Sequence, residues 1–337
     1  MIAIRSTRVT AHDGTDLAAY ECGDGSGPAI ILANGLGGNV DAWRYFIDDF
    51  GTHHRIVSWD YRGLYASGAP TGRDYSVSTQ ARDMARVLDH FGIEQAIFVG
   101  WSMGVQVAIE LNRQEPRRTL AQILINGTYG RPFATAFAPL IGKSPLYPFI
   151  PAIMRAVESV AHLAEPFQPM AQKVANTKVA LHFLRALGLV SPSLDEKMFL
   201  ALAHQVAGLD MPRYMATLNS LGDHCAEAAL PDIVAPTLVI TGDHDLFTPV
   251  SQSREMAARI PGAELLVIPS GTHYTPLEFP ELIHLRVRKF MRTRLNYDRD
   301  QPQPPAAHAP VPAQDASVAE DPAAAPKKKR VRRGPSH

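Results

Sequence analysis

The pentapeptide Gly100-Trp101-Ser102-Met103-Gly104 sets one serine between two glycines, each two positions away. An apolar run at residues 96–99 precedes it and a helix-like stretch at residues 105–111 follows. A serine on such a strand-to-helix turn holds its hydroxyl clear of the backbone, with N–H groups of the helix start facing the same space. The flanking residues are small because bulk two positions before or after the serine collides across so tight a turn. The hydroxyl is a weak nucleophile until a base takes its proton, and that base needs an acid to hold it in one tautomer. Both occur further along. Gly242-Asp243-His244-Asp245-Leu246-Phe247-Thr248-Pro249 follows an apolar run at 237–241, and Gly271-Thr272-His273 follows another at 264–268. The order serine, acid, histidine suits a serine on this kind of turn. Asp243 and Asp245 compete for the place of the acid.

These groups need rigid elements to bring them together. Near-continuous apolar runs at 29–33, 55–59, 96–99, 122–125, 237–241 and 264–268 suit buried parallel strands. Amphipathic helices lie between them, as at 78–91, where Ala81, Met84, Ala85, Leu88 and Phe91 recur at helical spacing. The fold class is therefore α/β, a mostly parallel sheet covered by helices on both faces. The first twenty-odd residues read as an antiparallel hairpin turning at Asp13-Gly14. The alternation breaks at 129–230, where a proline-rich entry at 139–151 leads into helical stretches at 152–164, 171–187 and 196–207. That segment reads as an all-helical cap over one edge of the sheet. The expected organisation is a core of residues 1–128 and 231–295, a cap of residues 129–230 and a tail of residues 296–337.

Over residues 1–295 the chain resembles the α/β-hydrolase superfamily. Four features carry the likeness: the turn around Ser102, the glycine-rich Asn34-Gly35-Leu36-Gly37-Gly38 after the third strand, Gly242-x-x-Asp245-x-x-x-Pro249, and His273 followed by Glu278-x-Pro280. The resemblance implies Ser102 as nucleophile, Asp245 as the acid and His273 as general base. It also implies an oxyanion hole built from the Leu36 and Met103 N–H groups, and no cofactor. Asn34 stands where relatives usually carry histidine, and its amide could brace the same loop. Asn34, Gly35 and Trp101 are assigned to the substrate pocket, and Asp60-Tyr61-Arg62-Gly63 with Ser67 to structural support. A serine in the elbow argues against the haloalkane dehalogenases and epoxide hydrolases, which use a carboxylate nucleophile. The implied activity is cleavage of a carboxylic ester or thioester with a hydrophobic part through an acyl-enzyme. Lactonases, C–C bond hydrolases, acyltransferases and cofactor-free haloperoxidases share the chemistry, and a ligand receptor on the same body is the alternative of another class.

Composition narrows the remaining classes. The 337 residues carry a formal net charge of zero, which gives no global electrostatic reason to expect a nucleic-acid partner. Cys22 and Cys225 are read as reduced thiols, and the N-terminus has no basic region leading into an apolar one. No apolar stretch reaches the length of about 18 residues that spans a membrane. A cytoplasmic enzyme acting on a small-molecule ester is the expectation. No cluster has metal-ligand spacing. His244 reads as a loop residue, His53 and His54 as solvated positions before a strand, and His182, His204 and His224 as packing or exposed positions within the cap.

Residues 301–326 are rich in proline and alanine and lead to the basic run Lys327-Lys328-Lys329-Arg330-Val331-Arg332-Arg333. This run could touch nucleic acid or an anionic membrane, and is read as part of a solvated, disordered tail. Deleting the chain from Gln301 onward is expected to leave kcat and Tm nearly unchanged, because too few apolar side chains offset the ordering entropy. A Tm several degrees lower in the truncated protein shows instead that the tail docks.

Overall fold

In a strand, successive side chains point to opposite faces, so a continuous apolar run needs a hydrophobic layer on each side. The computed structural model, which describes residues 1–298 apart from Leu146 and Asn176, has this arrangement. Its sheet contains β1 (Ile4–Thr10), β2 (Asp16–Cys22), β3 (Gly27–Ala33), β4 (His54–Trp59), β5 (Ala96–Trp101), β6 (Thr119–Ile125), β7 (Thr237–Gly242) and β8 (Glu264–Ile268). The spatial order is β1-β2-β4-β3-β5-β6-β7-β8. From β4 to β8 the neighbours are parallel, while the β1–β2 hairpin and the β2–β4 pair are antiparallel. The hairpin turns through Gly14 at φ +85°, a conformation open to glycine without strain.

The helices of the core are α1 (Arg44–Phe50), α2 (Val77–His90) and α3 (Met103–Gln114). Between β6 and β7 come α4 (Ala138–Ile141), α5 (Ile150–Val160), α6 (Gln168–Ala175), α7 (Lys178–Ala186), α8 (Glu196–Ala207) and α9 (Met211–Asp223). After β7 follow α10 (Val250–Arg259), α11 (Thr275–Glu278) and α12 (Pro280–Arg294). Ile31, Ala33, Phe98 and Leu124 pack on one face against Ala81 and Met84 of α2, Ala108 of α3 and Met256 of α10. Ile30, Leu32, Ile97 and Val99 face the opposite way, against Phe46 and Ile47 of α1 and Val287 and Phe290 of α12. The alternation along each strand thus fixes two cores, one per face.

The helical segment differs from its sequence reading in two respects. The single helix expected at 171–187 is two, α6 and α7, because Thr177 adopts an extended conformation and its hydroxyl accepts from the Ala180 N–H, restarting the helix. Helix α9 was not anticipated, although Asp210 caps it and Pro212 sits in its first turn, where proline is tolerated. Among the described residues from 129 to 230 the β structure is confined to one isolated bridge, Gly130 to Cys225. No described helix is long and apolar enough to cross a membrane. The expected tail and its basic run lie, beyond residue 298, outside the described residues.

Loop 60–67, after β4, is locked in place by charge. Arg62 is fully buried and forks onto both Asp83 oxygens at 2.6 and 2.7 Å, with Asp13 at 2.7 Å. Asp83 is equally buried, whereas the Asp13 side chain is about one third exposed. The same loop sends Tyr61 Oη to Asn34 O at 2.6 Å and Tyr65 Oη to Gly37 O, so it props the turn after β3. Asp83→Ala is expected to cost about 3 kcal/mol in urea unfolding, since it leaves a buried guanidinium with Asp13 as its one carboxylate and the Asp74 carbonyl as its other acceptor. Asp13→Ala at the wetter end is expected to cost about 1 kcal/mol or less. Equal losses refute the view that the buried fork anchors the loop.

Candidate active site

The parallel strands all present their carboxyl ends at one edge, and the chain order reverses between β3 and β5, where loops splay apart and leave a crevice. Five strand ends contribute to this edge. Asn34 to Gly38 follows β3, Ser102 follows β5, Asn126 follows β6, Asp245 lies in the loop after β7, and His273 in the loop after β8.

Ser102 sits at φ +55°, ψ −114°, a backbone state that costs about 1–3 kcal/mol for a residue with a side chain. The neighbours enforce it. A Cβ on Gly100 would run into the Gly104 carbonyl, and one on Gly104 into the Ala33 carbonyl at the end of β3. The two glycines therefore let α3 start directly against β3 and β5. A Cβ on Gly35 would come within 3.3 Å of Ser102 Cβ, so the turn after β3 also lies against the serine.

His273 Nε2 is 2.8 Å from Ser102 Oγ, and His273 Nδ1 is 2.9 Å from Asp245 Oδ2 and 3.1 Å from Oδ1. The Asp245 carboxyl is buried and accepts from Asn126 Nδ2 at 2.8 Å, Thr248 Oγ1 at 2.7 Å, and the Phe247 and Thr248 N–H groups at 2.9 Å each. With donors converging on Asp245, Nδ1–H of His273 donates to it and Nε2 is left to accept the serine proton. Asp243 does something else: it is partly exposed and accepts from the Ser270 N–H at 2.7 Å, tying the β7 loop to the β8 loop.

Trp101 Nε1 donates to the His273 carbonyl at 2.9 Å, and Trp101 and Gly35 both line the cavity beside the serine. Leu36 lines it too, and Met103 opens α3, so its N–H is among the first-turn donors that have no intrahelical acceptor. Asn34 is a correction to the sequence reading. Its amide is turned away from the cavity and buried, donating to Trp59 O at 2.7 Å and accepting from Trp43 Nε1 at 2.8 Å. An amide can satisfy both partners at once, so Asn34 braces the turn and does not line the pocket. Tyr65, which holds Gly37 O, is pushed up by burial and stays a neutral donor. Burial pushes Asp60, the first residue of the same loop, up to about 6 against the pull of the Tyr20 hydroxyl and the Ala66 N–H.

Sequence reasoning did not single out Asn126. It too has a positive φ of +45°, and it bonds Asp245 and the Thr272 carbonyl while accepting from Thr275 Oγ1. A lone asparagine after a buried strand was its only signal. Glu278, noted only as part of a spacing, is buried and accepts from Thr272 N at 2.8 Å, Thr272 Oγ1 at 2.5 Å and Ser191 N at 2.8 Å. It thereby links the His273 loop to the helical segment. His54 is a correction to its reading as solvated: it opens β4, is buried, and its Nδ1 lies 2.8 Å from Pro28 O. Burial depresses both His54, to about 4, and His224. Among the described residues no group of three or more His, Cys, Asp or Glu is arranged to hold a metal ion.

The class of protein that this fold and site define is an α/β enzyme with a serine at its elbow. A description of the Alpha/beta hydrolase family matches residues 30–284, and the chain belongs to that family. Its relatives include a RutD protein of Agrobacterium fabrum, whose name carries a provisional carbamate hydrolase assignment. That protein is 24% identical over 274 residues, which cover 80% of this chain and 94% of the relative. The 3-oxoadipate enol-lactonase 2 of Acinetobacter baylyi is 27% identical over 270 residues, 80% of this chain and 91% of the relative. The crystal structure of a hydrolase from Pseudomonas aeruginosa PA01 is similar at a TM-score of 0.60 and 26% identity, over 85% of this chain and 98% of that one.

The two aspartates give a sharp test. Asp245→Asn is expected to lower kcat by about four orders of magnitude, because an amide facing Nδ1 favours the wrong imidazole tautomer. Asp243→Asn is expected to cost far less, since its side chain meets a backbone N–H of the neighbouring loop. The comparison is made on kcat near neutral pH with one soluble short-chain ester. The reverse ranking sinks the assignment.

Proposed function

We propose that the chain is a serine hydrolase that cleaves a carboxylic ester or thioester with an apolar part by way of an acyl-enzyme. The observation that carries this reading is the line Ser102 Oγ, His273 Nε2, Nδ1, Asp245 Oδ2, with contacts of 2.8 and 2.9 Å. Ser102 Oγ attacks the carbonyl carbon while its proton passes to His273 Nε2. Asp245 keeps the ring oriented and stabilises the imidazolium. The Leu36 and Met103 N–H groups receive the developing oxyanion, where fixed donors in a dry site act most strongly. Collapse of the tetrahedral intermediate breaks the bond to the leaving oxygen or sulfur, which takes the proton from His273. A water molecule then gives a proton to the same nitrogen, attacks the acyl-enzyme, and releases the acid and Ser102.

Several features support the parts. Residues 129–230 act as a cap, for helices α6, α8 and α9 supply much of the wall of the cavity that reaches Ser102 and His273. The chemistry runs without a cofactor, as every proton has a side chain to carry it. A cytoplasmic setting fits Cys22 and Cys225, both free thiols. The names of the relatives favour a second reading, a carbamate or an enol-lactone as substrate. The same steps apply at either carbonyl, so the difference lies in the pocket.

Ser102→Ala is expected to fold normally and to lose ester turnover by a factor on the order of a million. A fluorophosphonate probe is expected to label wild type at one site and the variant not at all. Substantial kcat in purified Ser102→Ala means that another group is the nucleophile.

A further inference from the structure

The cavity above Ser102 has a volume of about 980 Å³, the top of the range of drug-sized pockets. Its inner wall comes from one stripe of α8. Phe199, Leu202, Ala203 and Val206 stand at i, i+3, i+4 and i+7 and so share a face, and all four line the cavity. Helix α6 packs beside α8 and adds Ala171, Val174 and Ala175 to the lining, again at i, i+3 and i+4. Burial changes along this passage. Phe199, Leu202 and Leu209 are buried, while Phe167 and Val174 are more than half exposed. The cavity is therefore an apolar slot that reaches Ser102 and His273 and meets solvent beside Phe167 and Val174.

Its charge is as telling as its shape. No lysine or arginine stands among the described residues that line it, and its single carboxylate is Asp210, which caps α9 and pairs with Arg213 at 3.2 Å. An anionic substrate group buried without a cation or a set of donors is strongly disfavoured. A very small acyl group would leave most of an apolar slot unfilled and forgo the free energy of covering it.

We propose that this site takes neutral esters with one long apolar arm, an unbranched chain of about eight carbons or its bulkier equivalent, and discriminates against small polar and anionic acyl groups. The length follows from the helix. Phe199 meets Tyr274 and Val206 lies against Gly37, so the stripe spans the catalytic edge. It rises about 10 Å, and an extended chain laid along it at about 1.2 Å per bond covers roughly eight bonds. The inference rests on the serine-hydrolase reading and narrows it, because it sets the small carbamate and the charged lactone arm apart from the substrate class that the slot fits.

The test uses the full-length protein and two ester series. One varies the acyl arm in p-nitrophenyl acetate, butyrate, octanoate and laurate. The other varies the alcohol arm in ethyl, butyl and octyl acetates, followed by titration of released acid. Each methylene buried in the slot is worth up to about fourfold in kcat/KM. The expected result is a rise of about a hundredfold or more from two to eight carbons in one of the two series, levelling off beyond. The neutral p-nitrophenyl pentanoate is expected to exceed the similarly shaped but anionic p-nitrophenyl succinate by at least tenfold. Ala203→Trp, which fills the middle of the slot, is expected to lower the long-to-short preference at least tenfold, with fluorophosphonate labelling of Ser102 as the check on folding. Ala171→Trp repeats the test from the neighbouring helix α6. A labelled Ser102 with turnover that is flat or falling with chain length in both series overturns the inference and leaves the serine-hydrolase reading standing. So does a preference for the succinate. No label and no turnover of any ester overturns both.

Discussion

The start of α3 packs directly onto the ends of β3 and β5, and the rest of the site depends on that close approach. Gly100 and Gly104 permit it, since a side chain at either would occupy the space of a carbonyl oxygen. The approach leaves Ser102 little freedom except the strained positive-φ backbone state in which it is found. A strained residue persists only where its surroundings over-determine it. Here the surroundings are two buried parallel strands and a buried helix, the most rigid parts of the fold. The serine hydroxyl gains a fixed position, and the backbone N–H groups at the helix start share its space.

The second feature is the layering of support around the histidine. His273 is held by Asp245 through one ring nitrogen and by Trp101 through its carbonyl. Asp245 is held in turn by Asn126 and Thr248, and the adjoining Thr272 by Glu278. Asn126 and Glu278 come from elements remote from the serine in sequence, and each bridges two loops. Such buried, well-satisfied polar groups fix a side chain within the narrow tolerance that proton transfer needs. Glu278 reaches further, since its bond to the Ser191 N–H joins the histidine loop to the helices that wall the cavity. The turn after β3 has a parallel set of supports in Trp43, Tyr61 and Tyr65.

The proposed chemistry and the proposed substrate choice thus draw on different parts of the chain. The strand ends carry Ser102, Asp245 and His273, where parallel topology collects them along one edge. The helices between β6 and β7 carry the apolar stripes, whose packing can vary without disturbing the sheet. Such a division lets one fold serve different substrates.

Much of the fold was legible in the sequence because its strands are continuous apolar runs and its helices carry clear stripes. Periodicity of this kind is local and survives without knowledge of neighbours. Ser102, Asp245 and His273 were legible because each sits in a short pattern imposed by its own loop. Asn126 was not, since nothing near it in sequence marks a residue whose partners lie more than a hundred positions away. The orientation of Asn34 was not either, because an amide beside a glycine-rich turn can face the pocket or the core. Only Trp43 and Trp59, brought in by packing, decide for the core. The split of α6 from α7 turned on one threonine cap within an otherwise helical pattern. The sequence by itself determined which residues could react and which elements would hold them. The tertiary structure decided which polar groups brace them and what shape and charge the cavity has, because those depend on contacts between segments that sequence separation conceals.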